Sequence, residues 1–505
     1  MTASNSVLEV EPRTGRPPAT SLRAGWPVLA ALMLATLAVT VDNTVLNVAL
    51  PSISTDLNAG TSQLQWIVNA YSLLFGGLLL TGGSLADRLG RRRVLLGGLA
   101  AFAAASALVL VVHSGPELIA LRALSGVAAA FLLPSTVALM YRAFEGPARA
   151  TAIGIAGSVA ALGFVIGPLL GGALLEFFSW QSVFLVNVPI AALALLLVRA
   201  VIPPDAERSG GPADLPGAVL SVLAMLGLVA ALVDGPDHGW GSPLVVGPAL
   251  GALVTGVVFV WWELRAAHPM LDVRLIGRRA VAGPGAAQGA LMFAASGSLF
   301  LITQHLQILK GYSPIEAGVS SAPIAIGLIG AGPLFTWSAR RLGAAGTAAL
   351  GLLIAAAAMA CLGLGIRHGY LPLAGGLLAL GAGVRLGITV AALAVLDGLP
   401  AEAAGTGAAL GDTFQEIGGA LGVALLGSIY NVIYQSDLPS AAPAAARDSL
   451  RGALSLHDAA LSAAARHAFT SGAQIALLAC AGILAAVAVV ARLTVSRDLD
   501  LTEAT

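Results

Sequence analysis

The sequence predicts an all-α membrane protein: two six-helix bundles plus two inserted helices, fourteen transmembrane helices in all. Three observations carry the helical membrane part of that expectation. Apolar residues make up 57% of the 505-residue chain and charged residues only 10%, where a soluble domain carries about 25% charged. Mean hydropathy is +0.88. Apolar runs of about 20 residues recur between short polar breaks, each long enough to cross a bilayer as a helix. No soluble fold has interior enough to hide this much apolar surface, so the solvent is largely lipid.

Residues 1–25, MTASNSVLEVEPRTGRPPATSLRAG, are polar and rich in Pro and Arg. They lack the apolar core and small-residue cleavage site of a signal peptide and read as a disordered cytoplasmic tail. Residues 26–206 hold the first bundle, with spans at 27–50, 64–84, 94–113, 116–140, 149–175 and 181–201. Residues 207–265 hold a flexible connector, ERSGGPADLPG at 207–217, and two inserted spans at 215–234 and 243–263. Residues 266–495 form the second bundle, with spans at 281–307, 315–339, 345–366, 371–396, 404–431 and 471–493. Its long polar break, 432–470, is expected to be an external loop whose Ala-rich pattern suits a surface helix. A second cytoplasmic tail follows at 496–505.

An even span count puts both termini on one side. Of the 26 basic residues, roughly 19 fall in the tails and on the N-terminal side and roughly 5 opposite, the positive-inside bias. Arg122 and Arg385 fall within spans. Both termini are therefore expected in the cytoplasm, with the chain a multi-pass protein of the cell membrane.

Net charge is zero, which suggests neither nucleic acid nor an acidic partner. Cys361 and Cys480 both lie in apolar runs, against a disulfide framework or a zinc site. The single lysine, Lys310, stands in HLQILKGYS, which is not the G-x-x-x-x-G-K-[ST] phosphate loop, and no H-E-x-x-H occurs. Neither an ATP-driven machine nor a zinc protease is expected, and no cofactor or metal. What remains is no enzyme: transport driven by an ion gradient, or a membrane sensor or scaffold that moves nothing.

Loop 2–3 reads GGSLADRLGRRRVLL. Gly83 and Gly90 permit a tight turn and close helix approach. Asp87 with Arg88 and Arg91 can latch helices in one conformation and release them in another. The plain alternative is a basic loop on the cytoplasmic side. In GSVAALGFVIGPLLGG, Gly163, Gly167 and Gly171 recur every four residues beside Pro168. That spacing makes a smooth face for helix packing, and Pro168 invites a kink. Ordinary packing without further consequence is the alternative.

The spacing G-x-L-x-D-R-x-G-R-R closely resembles the loop 2–3 signature of the major facilitator superfamily. LIALRALSG, at 118–126, resembles its fourth-helix motif, with Arg122 inside the membrane. GSVAALGFVIGPLLGG resembles the fifth-helix motif of its antiporters. DNTVLNVALP, at 42–51, resembles the first-helix motif of its fourteen-helix drug:proton antiporter branch, and SWQSVFLVNVP, at 179–189, the element that follows. The resemblance implies a proton-coupled exporter of drugs or other toxic lipophilic compounds, a small-molecule substrate bound between the bundles, and a monomer among membrane lipids. Gln181 stands where the family has Arg, Ser125 where Gln is usual, and TWSARRLGAAG, the second-half echo of the signature, has no Asp.

Buried charges are the candidate working parts. Asp42 is central in its span, where a carboxylate costs about 2.5–3.5 kcal/mol. It is expected to face a water-filled cavity and bind a proton or cation, with snorkelling to the interface as the alternative. Asp412 and Glu416 stand four apart on one helical face and repel, which suits reversible protonation. The alternative is a solvated pair at the cytoplasmic mouth. Acids there resemble the subset of the branch that expels quaternary ammonium and other lipophilic cations. Arg385, mid-span, reads as a counter-ion for Asp412 or Glu416, or as a contact for an anionic or zwitterionic cargo such as a lipid or a self-made antibiotic. Arg122 reads as a coupling residue; spacing leaves open whether it meets Asp42. Gln304, His305 and Gln307 either line the cavity or sit near an external helix end.

Overall fold

A backbone in hydrocarbon must satisfy its own hydrogen bonds, and in a chain of long apolar runs the helix does this within each segment. The computed structural model describes residues 21–205, 214–267, 269–270, 273–399, 404–496, 499 and 501. Most of the two expected tails and of the 207–217 connector lies outside them. In chain order the helices are α1 (Leu22–Asp56), α2 (Thr61–Leu89), α3 (Arg91–Leu108), α4 (Gly115–Ala143), α5 (Gly146–Phe177), α6 (Ser182–Leu185) and α7 (Asn187–Val201). Then come α8 (Leu215–His238), α9 (Pro243–Glu263), α10 (Val273–Ile276), α11 (Arg279–Gln304), α12 (Pro314–Ser320) and α13 (Ala322–Gly330). The last are α14 (Gly332–Gly365), α15 (Tyr370–Asp397), α16 (Ala404–Asp437), α17 (Ala444–Asp448), α18 (Leu450–Ser455) and α19 (Ala459–Thr494).

Twelve of the described helices are long and apolar enough to cross a membrane. The two remaining expected spans, 149–175 and 315–339, coincide with the shorter apolar stretches Ile166–Phe177 and Pro314–Gly330. The first belongs to α5, a 32-residue helix. The second is interrupted twice: α13 starts with Pro323 and α14 with Pro333 in its first turn. Proline lacks the donor that would continue the preceding helix. A further break falls inside α14 at Gly343, where φ is +67°. Gly90, between α2 and α3, has φ +102°. The signature and its second-half echo thus each turn on a glycine in a conformation that L side chains rarely adopt.

Helices α1–α7 pack on one another, and α11–α16 with α19 do the same. Helix α8 lies against both α2 and α16, while α9 packs on α8 and leaves Leu250, Leu253 and Val257 exposed. The two groups meet mainly along α2–α16 and α5–α12. Their cross-seam hydrogen bonds include Gln65 Nε2 to the Val423 carbonyl (3.2 Å), Gln307 Nε2 to the Val48 carbonyl (2.8 Å) and Thr61 Oγ1 to the Asp448 carbonyl (3.1 Å). All three lie in the half of the molecule remote from loop 2–3.

Small residues make that seam close. A Cβ on Gly163 or Gly167 would collide with Thr40 or Thr44 of α1, and one on Gly171 with Val45. Gly172 abuts Pro314 and Ile315 of α12, and Gly318 abuts the Pro168 carbonyl. The α5 motif therefore packs on its own group through one face and on the other group through the next. Gly154 and Gly157, nearer the other end of α5, face open space.

The polar break expected at 432–470 is shorter than anticipated, because α16 runs to Asp437 and α19 starts at Ala459. What lies between folds as α17 and α18, with Ala446, Leu450 and Ala453 buried. Tyr434 donates its hydroxyl to the Ala446 carbonyl at 2.8 Å. The Ala-rich pattern forms two short helices that bury Ala446, Leu450 and Ala453 and leave Ala444, Ala445 and Arg447 exposed.

Gly167→Ala is expected to lower stability by about 1–3 kcal/mol, the usual size of overpacking. Gly154→Ala should be neutral or stabilising by up to about 1 kcal/mol, since it gains helix propensity without a clash. Thermal unfolding in detergent separates the two; equal effects would refute the packing assignment.

Candidate substrate and coupling site

The first requirement on the central carboxylate is a partner. Asp42, on α1, is 1% exposed, and both of its oxygens are engaged. Arg122 of α4 donates from Nη1 to Oδ2 at 2.6 Å, and Asn187 of α7 donates from Nδ2 to Oδ1 at 2.7 Å. Arg122 also donates from Nε to the Ile67 carbonyl at 3.2 Å, and its guanidinium lies 4.2 Å from the centre of the Tyr71 ring. Charge-assisted hydrogen bonds contribute about 1.5–3 kcal/mol each, enough to offset the insertion cost of the carboxylate. Asp42 does not face a water-filled cavity, as the sequence suggested. It is locked inside the first helix group, and Arg122 is its counter-ion.

One residue on, the helix has turned by about 100°. Asn43 points across the seam and donates from Nδ2 to Glu416 Oε1 at 3.2 Å. Ser72 of α2 lies in the same cavity wall as this carboxylate. These groups border a cavity with about 360 Å³ of unfilled space, part of it open. Its walls are Asn43, Thr44 and Asn47 from α1, Ser72 from α2, Met292, Ser296 and Leu299 from α11, and Gln415, Glu416 and Gly419 from α16. Both groups contribute. Gly76 allows the approach, since a Cβ there would sit 2.9 Å from the Glu416 Cβ. The lining contains one carboxylate and no basic side chain.

Asp412, one turn from Glu416, interacts with it electrostatically but is not in the cavity wall. Arg385 is exposed on α15 and forms no ion pair with Asp412 or Glu416. The expected counter-ion role is therefore not seen: no ion pair among the described residues joins α15 to the α16 acids. His305 is buried in a π turn against Phe469, with neither ring nitrogen bonded among the described residues. Gln304 bonds its own helix at Phe300. Gln307, in the same π turn after α11, bonds the Val48 carbonyl of α1. None of these three lines the cavity.

In loop 2–3, Asp87 and Arg91 form an ion pair at 2.8 Å, and Arg91 reaches the Ala138 carbonyl of α4 at 3.3 Å. Arg88 is exposed. Gly83 faces Pro134 of α4. The Asp–Arg pair thus joins α2, α3 and α4 within one group. Sequence reasoning missed Asp205, after α7, which accepts from the Arg92 backbone N–H at 3.1 Å and pairs with Arg142 at 3.7 Å. Its carboxylate fills the space a Cβ on Gly90 would take. Asn43 and Asn187 were also missed as contacts, although both stand in quoted motifs, beside Asp42 and before Pro189.

A sequence profile described as Major Facilitator Superfamily matches residues 32–423. The chain belongs to the Major Facilitator Superfamily. It is a multi-pass membrane protein of a transporter family whose members act on small molecules. It is 36% identical over 504 residues to the multidrug efflux pump LfrA of Mycolicibacterium smegmatis, covering 96% of this chain and 99% of that one. It is 38% identical over 431 residues to the cephamycin export protein CmcT of Amycolatopsis lactamdurans, covering 82% and 86%. In fold it matches a bacterial homologue of the human lysosomal transporter Spinster, solved inward-facing and unoccupied. The TM-score is 0.65, with 19% identity, 92% of this chain and 96% of that one covered.

Arg122→Ala leaves Asp42 buried without its cation and is expected to cost about 3–5 kcal/mol. The neutral pair Asp42→Asn with Arg122→Gln should recover most of that loss. Unfolding of the purified variants checks it, and an Arg122→Ala protein as stable as the parent would contradict the pairing.

Proposed function

We propose that this chain is a proton-coupled exporter of lipophilic, chiefly cationic, toxic compounds, working by alternating access as a carrier rather than an enzyme. The observation that carries this reading is the placement of Glu416. Its carboxylate borders the cavity between the two helix groups, with no basic residue in the wall, and accepts from Asn43, the residue next to Asp42 of the Asp42–Arg122 pair. A carboxylate in such a cavity attracts a cation when ionised and releases it when protonated. Asp42 and Arg122 form the coupling pair, Asp412 adds a second site for protons near Glu416, and the relatives named for multidrug efflux support the same role.

The same reading assigns the remaining parts. Residues 26–206 and 266–495 are the two bundles, with α8 and α9 inserted between them, giving fourteen spans when α5 and the broken α12–α13 segment are counted. The termini and loop 2–3 face the cytoplasm, the membrane is the cell membrane, and the carrier works as a monomer. Asp87, Arg88, Arg91, Gly83 and Gly90 brace the cytoplasmic side of the first bundle. Gly163, Gly167, Pro168 and Gly171 provide the face on which α5 rocks.

Two substitutions test it in inverted vesicles energised by a proton gradient. Glu416→Gln should slow export of an ethidium-like cation on the order of tenfold or more, the size of one lost charge contact. Asp42→Asn should abolish gradient-driven export while substrate binding persists. Full, protonophore-sensitive export by both variants would refute the mechanism.

The relative named for cephamycin export supports a second cargo class, a self-made antibiotic, and Arg385, which forms no ion pair among the described residues, suits an anionic or zwitterionic one. Arg385→Ala should then depress export of anionic compounds and spare cations. An equal effect on both classes, or none, would remove this reading.

A further inference from the structure

The inserted helix α8 is more than a lipid-facing addition. Val229 and Val233 are buried among Leu73 of α2 and Ala420 and Ala424 of α16, so α8 fills the groove where the two groups meet. At the end of that groove stands Asp237. Its Oδ1 accepts from Asn431 Nδ2 at 2.9 Å and from Gln435 Nε2 at 2.8 Å, both on α16. Its Oδ2 accepts from the Ser62 hydroxyl of α2. One turn back, Asp234 Oδ1 accepts from Trp66 Nε1 of α2 at 3.2 Å. A single carboxylate therefore holds a helix of each group, in the half of the molecule that is closed.

We propose that Asp237 is a positioning residue for transport: through α8 it clamps α2 to α16, and detachment of its carboxylate from α16 is a step in opening the molecule at the end remote from loop 2–3. The clamp is built to release. Its partners are neutral amides and a hydroxyl, and none of the ion pairs among the described residues involves Asp237. The nearby acids, Asp234 on the same helix and Asp448 on α17, supply no countercharge. It also acts on the site: α2 and α16 carry Ser72 and Glu416, so parting them at this end parts the cavity walls. The inference rests on alternating access, as proposed above, but not on the nature of the cargo or of the coupling ion.

The test is a distance measurement on the full chain in nanodiscs without substrate. Spin labels at Asp56→Cys, where α1 ends, and Ala441→Cys, in the turn after α16, are placed in a Cys361→Ser, Cys480→Ala background. The parent should show mainly one short distance. Asp237→Ala should raise the ratio of long to short distances about tenfold, as expected for loss of a charge-assisted contact. Asp237→Asn, which keeps an acceptor oxygen, should stay close to the parent. Should Asp237→Ala fail to fold, Asn431→Leu with Gln435→Leu frees α8 from α16 alone and should give the same shift. Distance distributions identical to the parent in whichever of these variants folds would overturn the clamp. A shifted distribution combined with unchanged Glu416→Gln export would instead uphold it and remove the cargo mechanism.

Discussion

A charge buried among helices must carry its counter-charge with it, and in this protein that constraint organises the first half of the molecule. Asp42 cannot be hydrated where it sits, so α4 brings Arg122 and α7 brings Asn187 to it. Arg122 in turn needs the Ile67 carbonyl and the Tyr71 ring of α2. Four helices thereby converge on one carboxylate. Specificity of arrangement, more than raw stability, is what such a buried pair contributes, because each partner left alone is far more costly than the pair.

The same stretch of α1 serves the other half of the molecule. Asp42 faces inward and Asn43 faces the seam, so one peptide unit separates the buried pair from the Glu416 carboxylate. A change of charge at either site alters the field and hydrogen bonding at the other without any long relay. Glycines let this happen at short range: Gly76 admits the Glu416 stem, and Gly163, Gly167 and Gly172 admit α1 and α12 against α5. In lipid, where apolar contact supplies little net drive between helices, close packing of small residues and cross-helix hydrogen bonds hold the seam.

Much of this was legible in the sequence. Apolar runs fix helix positions because the bilayer leaves the backbone no alternative, and the long runs all became helices. The prolines at 323 and 333 signal the interruptions of the tenth expected span, although run length alone read it as continuous. Gly90 in the sequence permits a tight turn, and the chain turns there with φ +102°, beside the Asp87–Arg91 ion pair.

Which residues were charged or small at membrane depth, and which helix each occupied, was determined by the sequence by itself. It could not decide how each helix is rotated about its axis, since near-uniform apolarity gives no inside face to read. That rotation placed Asp42 against Arg122 rather than water, left Arg385 exposed without an ion pair to the α16 acids, and left Glu416 in the cavity wall while Asp412 stayed out of it. Only the tertiary packing, which brings α1, α2, α11 and α16 around one space and lays α8 along their seam, decided which of the buried polar groups share a site.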